Sequence, residues 1–279
     1  MSDAQTDMRL AILGGTGRIG GHVLNWALDA GYPVTALARS PEALLRAALV
    51  QHGRGQGAGG GEAPGPEAQR ADALGPQTLG AVVAGPSAQN GGPLVAAARG
   101  LDGLVAAALS PSAGLTVVRG DALDATAVAE TIEGADAVIS ALGPRGAKMP
   151  GLLAGAASNI VASMRQTGAR RLICVSAAGA FITGDPNMSW LVKQVLPRVF
   201  AKPFADVRRM EDVIRESGLD WTLVRATRLV NSPGTGQYRV SPDYPPPGGG
   251  KIARADVAHF IAAALTGNGW LRSAPVLAY

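Results

Sequence analysis

Three glycines with a fixed spacing follow a short apolar run near the start of the chain, and they restrict the fold more than any other feature. The apolar run is Arg9–Leu13, and the glycines are Gly14, Gly17 and Gly20 in the segment GGTGRIG. The residues that follow have the apolar spacing of an amphipathic helix that ends at Gly31. Between a strand and a helix, such glycines permit a tight turn, close approach of a pyrophosphate to the backbone, and helix–sheet packing. The segment therefore predicts the first βα turn of a dinucleotide-binding fold.

Most of the remaining chain alternates strand-like and helix-like segments. Further strands are predicted at Pro33–Ala38, Leu115–Val118, Ala137–Ala141, Arg171–Ser176, Trp221–Arg225 and near Val276. Helices are predicted after the N-cap residues Ser40 and Asp124, over Pro150–Thr167, over Phe204–Ile214 and around Asp256–Leu265. Such alternation favours parallel strands covered by helices. We therefore predict an α/β protein, a Rossmann-type doubly wound parallel sheet with helices on both faces, in a single domain over residues 1–279.

One long segment interrupts the alternation. From about Val50 to Gly100 the sequence is rich in Gly, Ala, Pro and Gln and has few large apolar residues. Because such a segment buries too little surface to offset its chain entropy, we expect a flexible insertion at about residues 50–100. We also expect a small substrate-side region at about residues 180–210 and 227–255.

Composition and charge narrow the classes of protein. The chain has 279 residues, of which 47% are hydrophobic and 16% are charged, as in soluble globular proteins. No apolar stretch reaches the roughly 18 residues of a membrane span, and the polar start and the single cysteine, Cys174, favour the cytoplasm. The net charge of +4 is dispersed, so we expect no nucleic-acid partner. The three histidines lack ligand spacing, so no metal site is expected. We expect a monomer or a homodimer.

The end of the second predicted strand indicates which cofactor is preferred. NAD-selective dinucleotide folds usually have an acidic residue there, which hydrogen-bonds the ribose 2′-hydroxyl. This strand ends instead in Ala38, Arg39 and Ser40, without a carboxylate beside Arg39 in the sequence. A guanidinium binds the 2′-phosphate of NADP bidentately, and Arg18 of the glycine-rich turn is a second candidate for that phosphate. The sequence therefore favours NADPH.

A series of segments in a fixed order is typical of one protein family. After GGTGRIG come LARS, VVRGDALD, VISALG, CVSAAG, RRMEDVIRESGLDWTLVRATRL and KIARADVAHFIAAAL. Together they resemble the atypical short-chain dehydrogenases/reductases with NAD(P)H-binding, NmrA-like domains, and within that group the NADPH-dependent flavin reductases of the biliverdin reductase B type. The resemblance covers essentially the whole chain except about Ala43–Gly114.

The resemblance implies roles for residues that all follow strands of the predicted sheet. The pyrophosphate loop would consist of Gly14, Thr16, Gly17, Arg18 and Ile19. The 2′-phosphate would be held by Arg39 and Ser40, and adenine would face Asp121 and Ala122. The ribose next to the nicotinamide would be lined by Ala141, Leu142 and Gly143, and the nicotinamide pocket would be bounded by Ala226, Thr227 and Arg228. Ser176 matches the active-site serine of the family. These positions agree with the general rule that ligands of open parallel sheets bind beyond the carboxyl ends of the strands.

The sequence indicates the reaction less clearly than it indicates the cofactor. Most short-chain dehydrogenases use a Tyr-x-x-x-Lys pair as the proton donor, and this sequence has no such pair. A flavin, a quinone or an aromatic polyketide-like intermediate accepts hydride with less protonic assistance. We therefore predict an NADPH-dependent reductase that transfers hydride to a small planar conjugated substrate. Two alternatives remain: an NmrA-like sensor or regulator that binds NADP without turnover, and a tailoring isomerase or cyclase.

Three further predictions concern the carboxyl-terminal half. The resemblance implies that Asp206, Arg208 and Arg209 lie where relatives contact substrate, although they also fit a solvated helix start. Trp190, Leu191, Phe200 and Phe204 are candidates for an apolar lid, or for core residues. Asp256 is predicted to stabilise a helix N-terminus without a catalytic role.

Overall fold

An eight-stranded sheet forms the centre of the protein. The computed structural model describes residues 7–45, 114–143, 151–267 and 269–279, so the insertion predicted at about residues 50–100 lies outside the described residues. In chain order the strands are β1 (Leu10–Leu13), β2 (Val34–Ala38), β3 (Leu115–Arg119), β4 (Ala137–Ser140), β5 (Arg171–Ala177), β6 (Asp220–Ala226), β7 (Arg228–Val230), β8 (Arg239–Ser241), β9 (Lys251–Ala253) and β10 (Val276–Ala278). The sheet order is β3-β2-β1-β4-β5-β6-β10-β8, parallel except for β8, and β7 pairs with β9 in a separate parallel ribbon.

Six α-helices connect or flank these strands in the described part of the chain. They are α1 (Arg18–Asp29), α2 (Ala125–Ile132), α3 (Leu152–Thr167), α4 (Trp190–Val199), α5 (Ala201–Arg215) and α6 (Arg254–Thr266). Residues 41–45 begin a further helix, and a 3-10 segment spans Ala178–Gly184.

Both faces of the sheet are covered by helices, as the alternation of the sequence predicts. Successive residues of β1 enter opposite cores, because side chains alternate across a strand. Leu10 and Ile12 pack with α1 and α6, whereas Ala11 and Leu13 pack with α2, α3 and α5. All four are fully buried. The predicted Rossmann-type, mostly parallel architecture is therefore confirmed.

The predicted helix ends also agree with the structure where local chemistry defines them. Asp124 accepts the backbone N–H groups of Thr126 and Ala127 at the start of α2. Gly31 and Gly168 follow α1 and α3 with φ values of 80° and 81°, a conformation that favours glycine. Among the described residues, no helix is long and apolar enough to cross a membrane.

The elements that were not predicted are short or exposed. Strands β7, β8 and β9 have three residues each, too few for a recognisable alternation. Helix α4 buries none of its residues, and apolar side chains such as Trp190, Leu191 and Val199 are exposed.

Candidate cofactor site

An open cleft lies at the carboxyl ends of β1, β2, β3 and β4. Because parallel strands end at the same edge of a sheet, loops distant in sequence meet there. The predicted site residues that line the cleft are Gly14, Thr16, Gly17, Arg39, Asp121, Ala122, Ala141, Leu142 and Gly143. Its wall also includes Leu37, Ala38, Gly120 and Leu152, which the sequence analysis did not select.

The turn after β1 requires glycine at two positions. Gly14 has a φ of 89°, and a Cβ atom there would lie 2.7 Å from the carbonyl carbon of Ala141. A Cβ atom on Gly20 would lie 2.1 Å from the carbonyl oxygen of Gly14. Without a side chain at Gly14 the turn can lie against the end of β4, and without one at Gly20 helix α1 can pack against the turn. Both agree with the functions of glycine in dinucleotide-binding turns.

The N-terminus of α1 has the properties of an anion site. Its N-cap residue is Gly17, no side chain caps it, and its first turn has no acidic residue. Helix α3 differs, because Asp206 of α5 accepts the backbone N–H groups of Leu153 and Ala154 at 3.0 and 3.2 Å. The first N–H groups of a helix bind anions when they are left without internal acceptors. The α1 terminus, which opens beside the cleft, therefore fits a pyrophosphate.

The end of β2 has both positive and negative side chains. Arg39 lies 3.8 Å from Asp121, measured from Nη1 to Oδ2. Glu42 accepts hydrogen bonds from Ser40 at 3.2 Å and from Arg119 at 2.9 Å. The sequence shows no carboxylate beside Arg39, but the fold brings two carboxylates to this end of the sheet. A 2′-phosphate would therefore meet two arginines that already have acidic partners.

Ser176 belongs to a buried polar network at the end of β5. Its hydroxyl donates to Glu211 Oε1 at 2.6 Å, and both residues are buried. Arg225 donates to the same carboxylate from Nε at 3.0 Å and from Nη2 at 2.7 Å. The Arg225 guanidinium also lies 3.6 Å from the centre of the Phe181 ring. The carboxylate is therefore held by a bidentate ion pair, and the Ser176 proton is directed toward Glu211.

Glu211 was missed by the sequence analysis, although a signal was present. Val207, Met210 and Ile214 form the buried stripe of α5, and Glu211 falls on the same stripe at helical spacing. A glutamate on a buried stripe requires a cationic partner. Two partners are found: Arg225, which lies opposite Ser176 in the paired strands, and Arg215, one turn further along α5.

The remaining predicted cofactor residues do not line the cleft. Ile19 is buried beneath the glycine-rich turn, and Ala226 is buried at the end of β6. The Thr227 hydroxyl donates to the carbonyl oxygen of Leu277. The Arg18 guanidinium donates from Nη1 to Asn231 Oδ1 at 3.1 Å.

The structure changes the interpretation of two substrate-side features. Asp206 is buried and caps α3, so it is not a solvated residue at a helix start. In the predicted lid, Trp190 is 72% exposed, while Phe204 contacts Phe200 with ring centres 5.5 Å apart.

Asp256 lies in the first turn of α6, but its hydrogen bonds connect α6 to other segments. Its carboxylate accepts the backbone N–H groups of Thr235 and Gly236 and the hydroxyl of Tyr279. Burial acts to raise the pKa of Asp256, but these hydrogen bonds outweigh it and hold the pKa below its ordinary value. The residue therefore connects the loop after β7 and the chain terminus to α6, in addition to the predicted effect on the helix end.

Cys174 lies in the core between β5 and α5. It is 2% exposed, and burial raises the pKa of its thiol to about 12. A thiol that stays protonated is a poor nucleophile.

Comparisons with known proteins agree with the fold. Three solved structures share the fold: a Rossmann-fold NAD(P)-binding family protein from Shigella flexneri, the oxidoreductase ylbE from Lactococcus lactis and a wide-type short-chain dehydrogenase/reductase from Veillonella parvula in complex with NADP. Their TM-scores are 0.57, 0.62 and 0.60, and their sequence identities are 19%, 14% and 17%. The alignments cover 97%, 97% and 98% of this chain and 92%, 90% and 94% of the respective structures.

The NAD(P)H-binding family matches residues 69–268, which is more than half of the chain. This match begins after the glycine-rich turn, so the turn and the family match are separate observations. The chain belongs to the NAD(P)H-binding domain family.

Proposed function

We propose that the protein is an NADPH-dependent reductase that transfers hydride to a planar conjugated acceptor. The observation that carries the proposal is the meeting of the glycine-rich turn, Arg39, Asp121 and residues 141–143 around one cleft. Bound there, NADPH would supply the hydride. The resemblance of the sequence to the biliverdin reductase B type of flavin reductase supports a flavin, a quinone or a similar ring system as the acceptor.

The protein's own residues would bind and orient the cofactor. Backbone N–H groups at the start of α1 would hold the pyrophosphate, and Arg39 with Ser40 would hold the 2′-phosphate. Asp121 and Ala122 would face adenine, and Ala141, Leu142 and Gly143 would allow close approach of the ribose next to the nicotinamide. Ala226 and Thr227 would bound the nicotinamide pocket.

Ser176 would act as a hydrogen-bond acceptor in this site. Because its proton goes to Glu211 at 2.6 Å, its oxygen presents lone pairs to any further partner. It would therefore accept an N–H group of the carboxamide or of the acceptor, and it would not donate a proton to a carbonyl. A delocalised acceptor suits this arrangement better than an isolated ketone, because its reduction depends mainly on orientation.

The hydrogen bond from Ser176 to Glu211 also favours a second candidate, a sensor that binds NADP without turnover. The sequence has no Tyr-x-x-x-Lys pair, and the Ser176 hydroxyl is already engaged. In this candidate the cleft would be used for binding alone.

The direct test is NADPH oxidation, followed by absorbance, with FMN, riboflavin, simple quinones and polycyclic aromatic ketones. The reductase predicts turnover with at least one planar acceptor. In Ser176→Ala, kcat is expected to fall about tenfold or more while NADPH affinity changes little. Tight NADPH binding without turnover on the whole panel would contradict the reductase and favour the sensor.

A further inference from the structure

Two arginines share one amide oxygen beside the glycine-rich turn. Strands β7 and β9 pair with Val230 opposite Ala253, so the next residues, Asn231 and Arg254, are neighbours. Arg254 Nη1 donates to Asn231 Oδ1 at 2.6 Å, and Arg18 Nη1 donates to the same oxygen at 3.1 Å. Each guanidinium has five N–H donors, so most of their hydrogen-bonding capacity is unused by this contact.

The pair has no acidic partner in the described part of the chain. No described carboxylate lies within 4.0 Å of either guanidinium. Burial and the nearby charge of Arg18 lower the pKa of Arg254. Asn231 carries no net charge, so it accepts hydrogen bonds without neutralising the pair. An oxyanion would provide the missing negative charge.

The backbone adds to this positive potential. Arg18 is the first residue of α1, and Arg254 is the first residue of α6. Helix N-termini carry a partial positive charge. No acidic residue offsets this charge in the first turn of α1, whereas Asp256 offsets it in the first turn of α6. No side chain forms a capping hydrogen bond at the N-cap residue of either helix.

The pair lies beside the cofactor cleft, outside its wall. Gly17 lines the cleft, but the guanidinium of the next residue, Arg18, points to Asn231 after β7. Thr227, which we place at the nicotinamide end of the site, leads directly into β7. A strand of three residues spans roughly 10 Å. A ring stacked on the nicotinamide would therefore need only a short side chain to reach the pair.

We propose that Arg18 and Arg254 together bind an oxyanion, namely a phosphate or carboxylate group carried by the acceptor. The proposal rests on the proposed reductase function, since the acceptor is the substrate of that reaction. It narrows the substrate class from planar conjugated molecules to those with an anionic side chain.

The first test examines the oxyanion site without turnover. The protein is saturated with NADP⁺, so that the phosphate sites of the cofactor are filled, and its Tm is measured with increasing inorganic phosphate at constant ionic strength. We expect phosphate to raise the Tm of the wild type and to have little effect on Arg254→Gln. Asn231→Asp, which is nearly isosteric, is expected to abolish the response while leaving the Tm without phosphate unchanged or higher.

The matched control is Arg170→Gln. Arg170 lies just before β5, at the opposite edge of the sheet, where it pairs with Asp220. This variant loses the same charge and is expected to keep the wild-type response to phosphate.

The second test measures kcat/KM for FMN and for riboflavin, which lacks the phosphate. Charge-assisted hydrogen bonds predict that the wild type prefers FMN by about tenfold. Arg254→Gln is expected to lose most of this preference, with kcat/KM for riboflavin and the Kd for NADPH unchanged within about twofold.

The outcomes separate the two proposals. Equal phosphate responses in the wild type and Arg254→Gln would overturn the oxyanion site. The site would also be overturned if Arg254→Gln weakened NADPH binding by the same factor as it lowered kcat/KM for FMN. If no acceptor of the panel is reduced but the phosphate response disappears in Arg254→Gln, the oxyanion site stands and the reductase proposal fails.

Discussion

We propose that the charged side chains at the end of β2 determine whether the cleft binds a 2′-phosphate. Arg39 and Arg119 provide positive charge there, and Asp121 and Glu42 offset it at distances of 3.8 and 2.9 Å. All four side chains are at least partly exposed, so solvent weakens each ion pair. An incoming 2′-phosphate would compete with these carboxylates for the guanidiniums. We therefore propose that cofactor preference depends on the balance of charge among these four residues.

We predict that replacing an arginine and replacing a carboxylate at the end of β2 shift the preference between NADPH and NADH in opposite directions. Arg39→Asp is expected to weaken NADPH binding about tenfold or more relative to NADH, because it removes a guanidinium and adds a negative charge. Glu42→Gln is expected to strengthen NADPH binding several-fold with little effect on NADH. Fluorescence titration of both cofactors with each variant provides the measurement. An unchanged ratio of the two Kd values in Arg39→Asp would remove Arg39 from the site.

The sequence predicted the cleft better than the buried polar network. Residues such as Gly14 and Asp121 follow strands, and parallel strands bring their ends together whatever the details of packing. The partners of Ser176 and Arg18 depend instead on how α5 and the β7–β9 ribbon pack against the sheet. Such contacts between distant segments have no local sequence pattern, although Glu211 on a buried stripe was a partial signal.

At the level of elements, α3 and α5 are joined by a carboxylate. Asp206 of α5 accepts two backbone N–H groups at the start of α3, and Leu152 of α3 lines the cleft. The cap therefore positions a helix that forms part of the candidate cofactor site. The sequence resemblance placed Asp206 where relatives contact substrate. Its backbone partner, Leu153, lies 53 residues earlier, and no sequence pattern connects the two.

We predict that Asp206→Ala lowers the free energy of unfolding by about 2 kcal/mol, since it leaves buried N–H donors without an acceptor. Asp212→Ala provides the control, because Asp212 is exposed on the same helix, and we expect a change within about 0.5 kcal/mol. Urea unfolding of both variants measures the difference. Equal stability of the two would show that the cap has no energetic role.

Across the whole molecule, Asp256 connects the last segments of the chain. Its carboxylate, 1% exposed, accepts hydrogen bonds from the loop after β7 and from Tyr279 at the carboxyl end. The lowered pKa means that the folded state binds the deprotonated form preferentially. This contribution is complete above the ordinary pKa of an aspartate and decreases as the pH falls through the lower, folded value.

We therefore predict a pH-dependent difference between the wild type and Asp256→Asn. At pH 7 the variant should be less stable by about 1–3 kcal/mol, because an amide is a weaker acceptor for these donors. Below pH 4 the difference in stability should shrink, since the wild-type carboxylate becomes protonated and loses its negative charge. Thermal unfolding between pH 7 and pH 3 tests this, with the exposed Asp243→Asn as a control. A difference that stays constant with pH would contradict the assigned role.

The central claim is that the cleft at the carboxyl ends of β1–β4 binds NADP(H). The most direct measurement is calorimetric titration of NADPH into the wild type and Gly17→Val. A Cβ atom on Gly17 would lie 3.0 Å from the carbonyl oxygen of Gly14, and the larger side chain would occupy the pyrophosphate position. We predict one NADPH bound per wild-type chain, and a loss of at least about 100-fold in affinity for a folded Gly17→Val. Equal affinity in the two proteins, or no binding to the wild type, would contradict the assignment of the cleft.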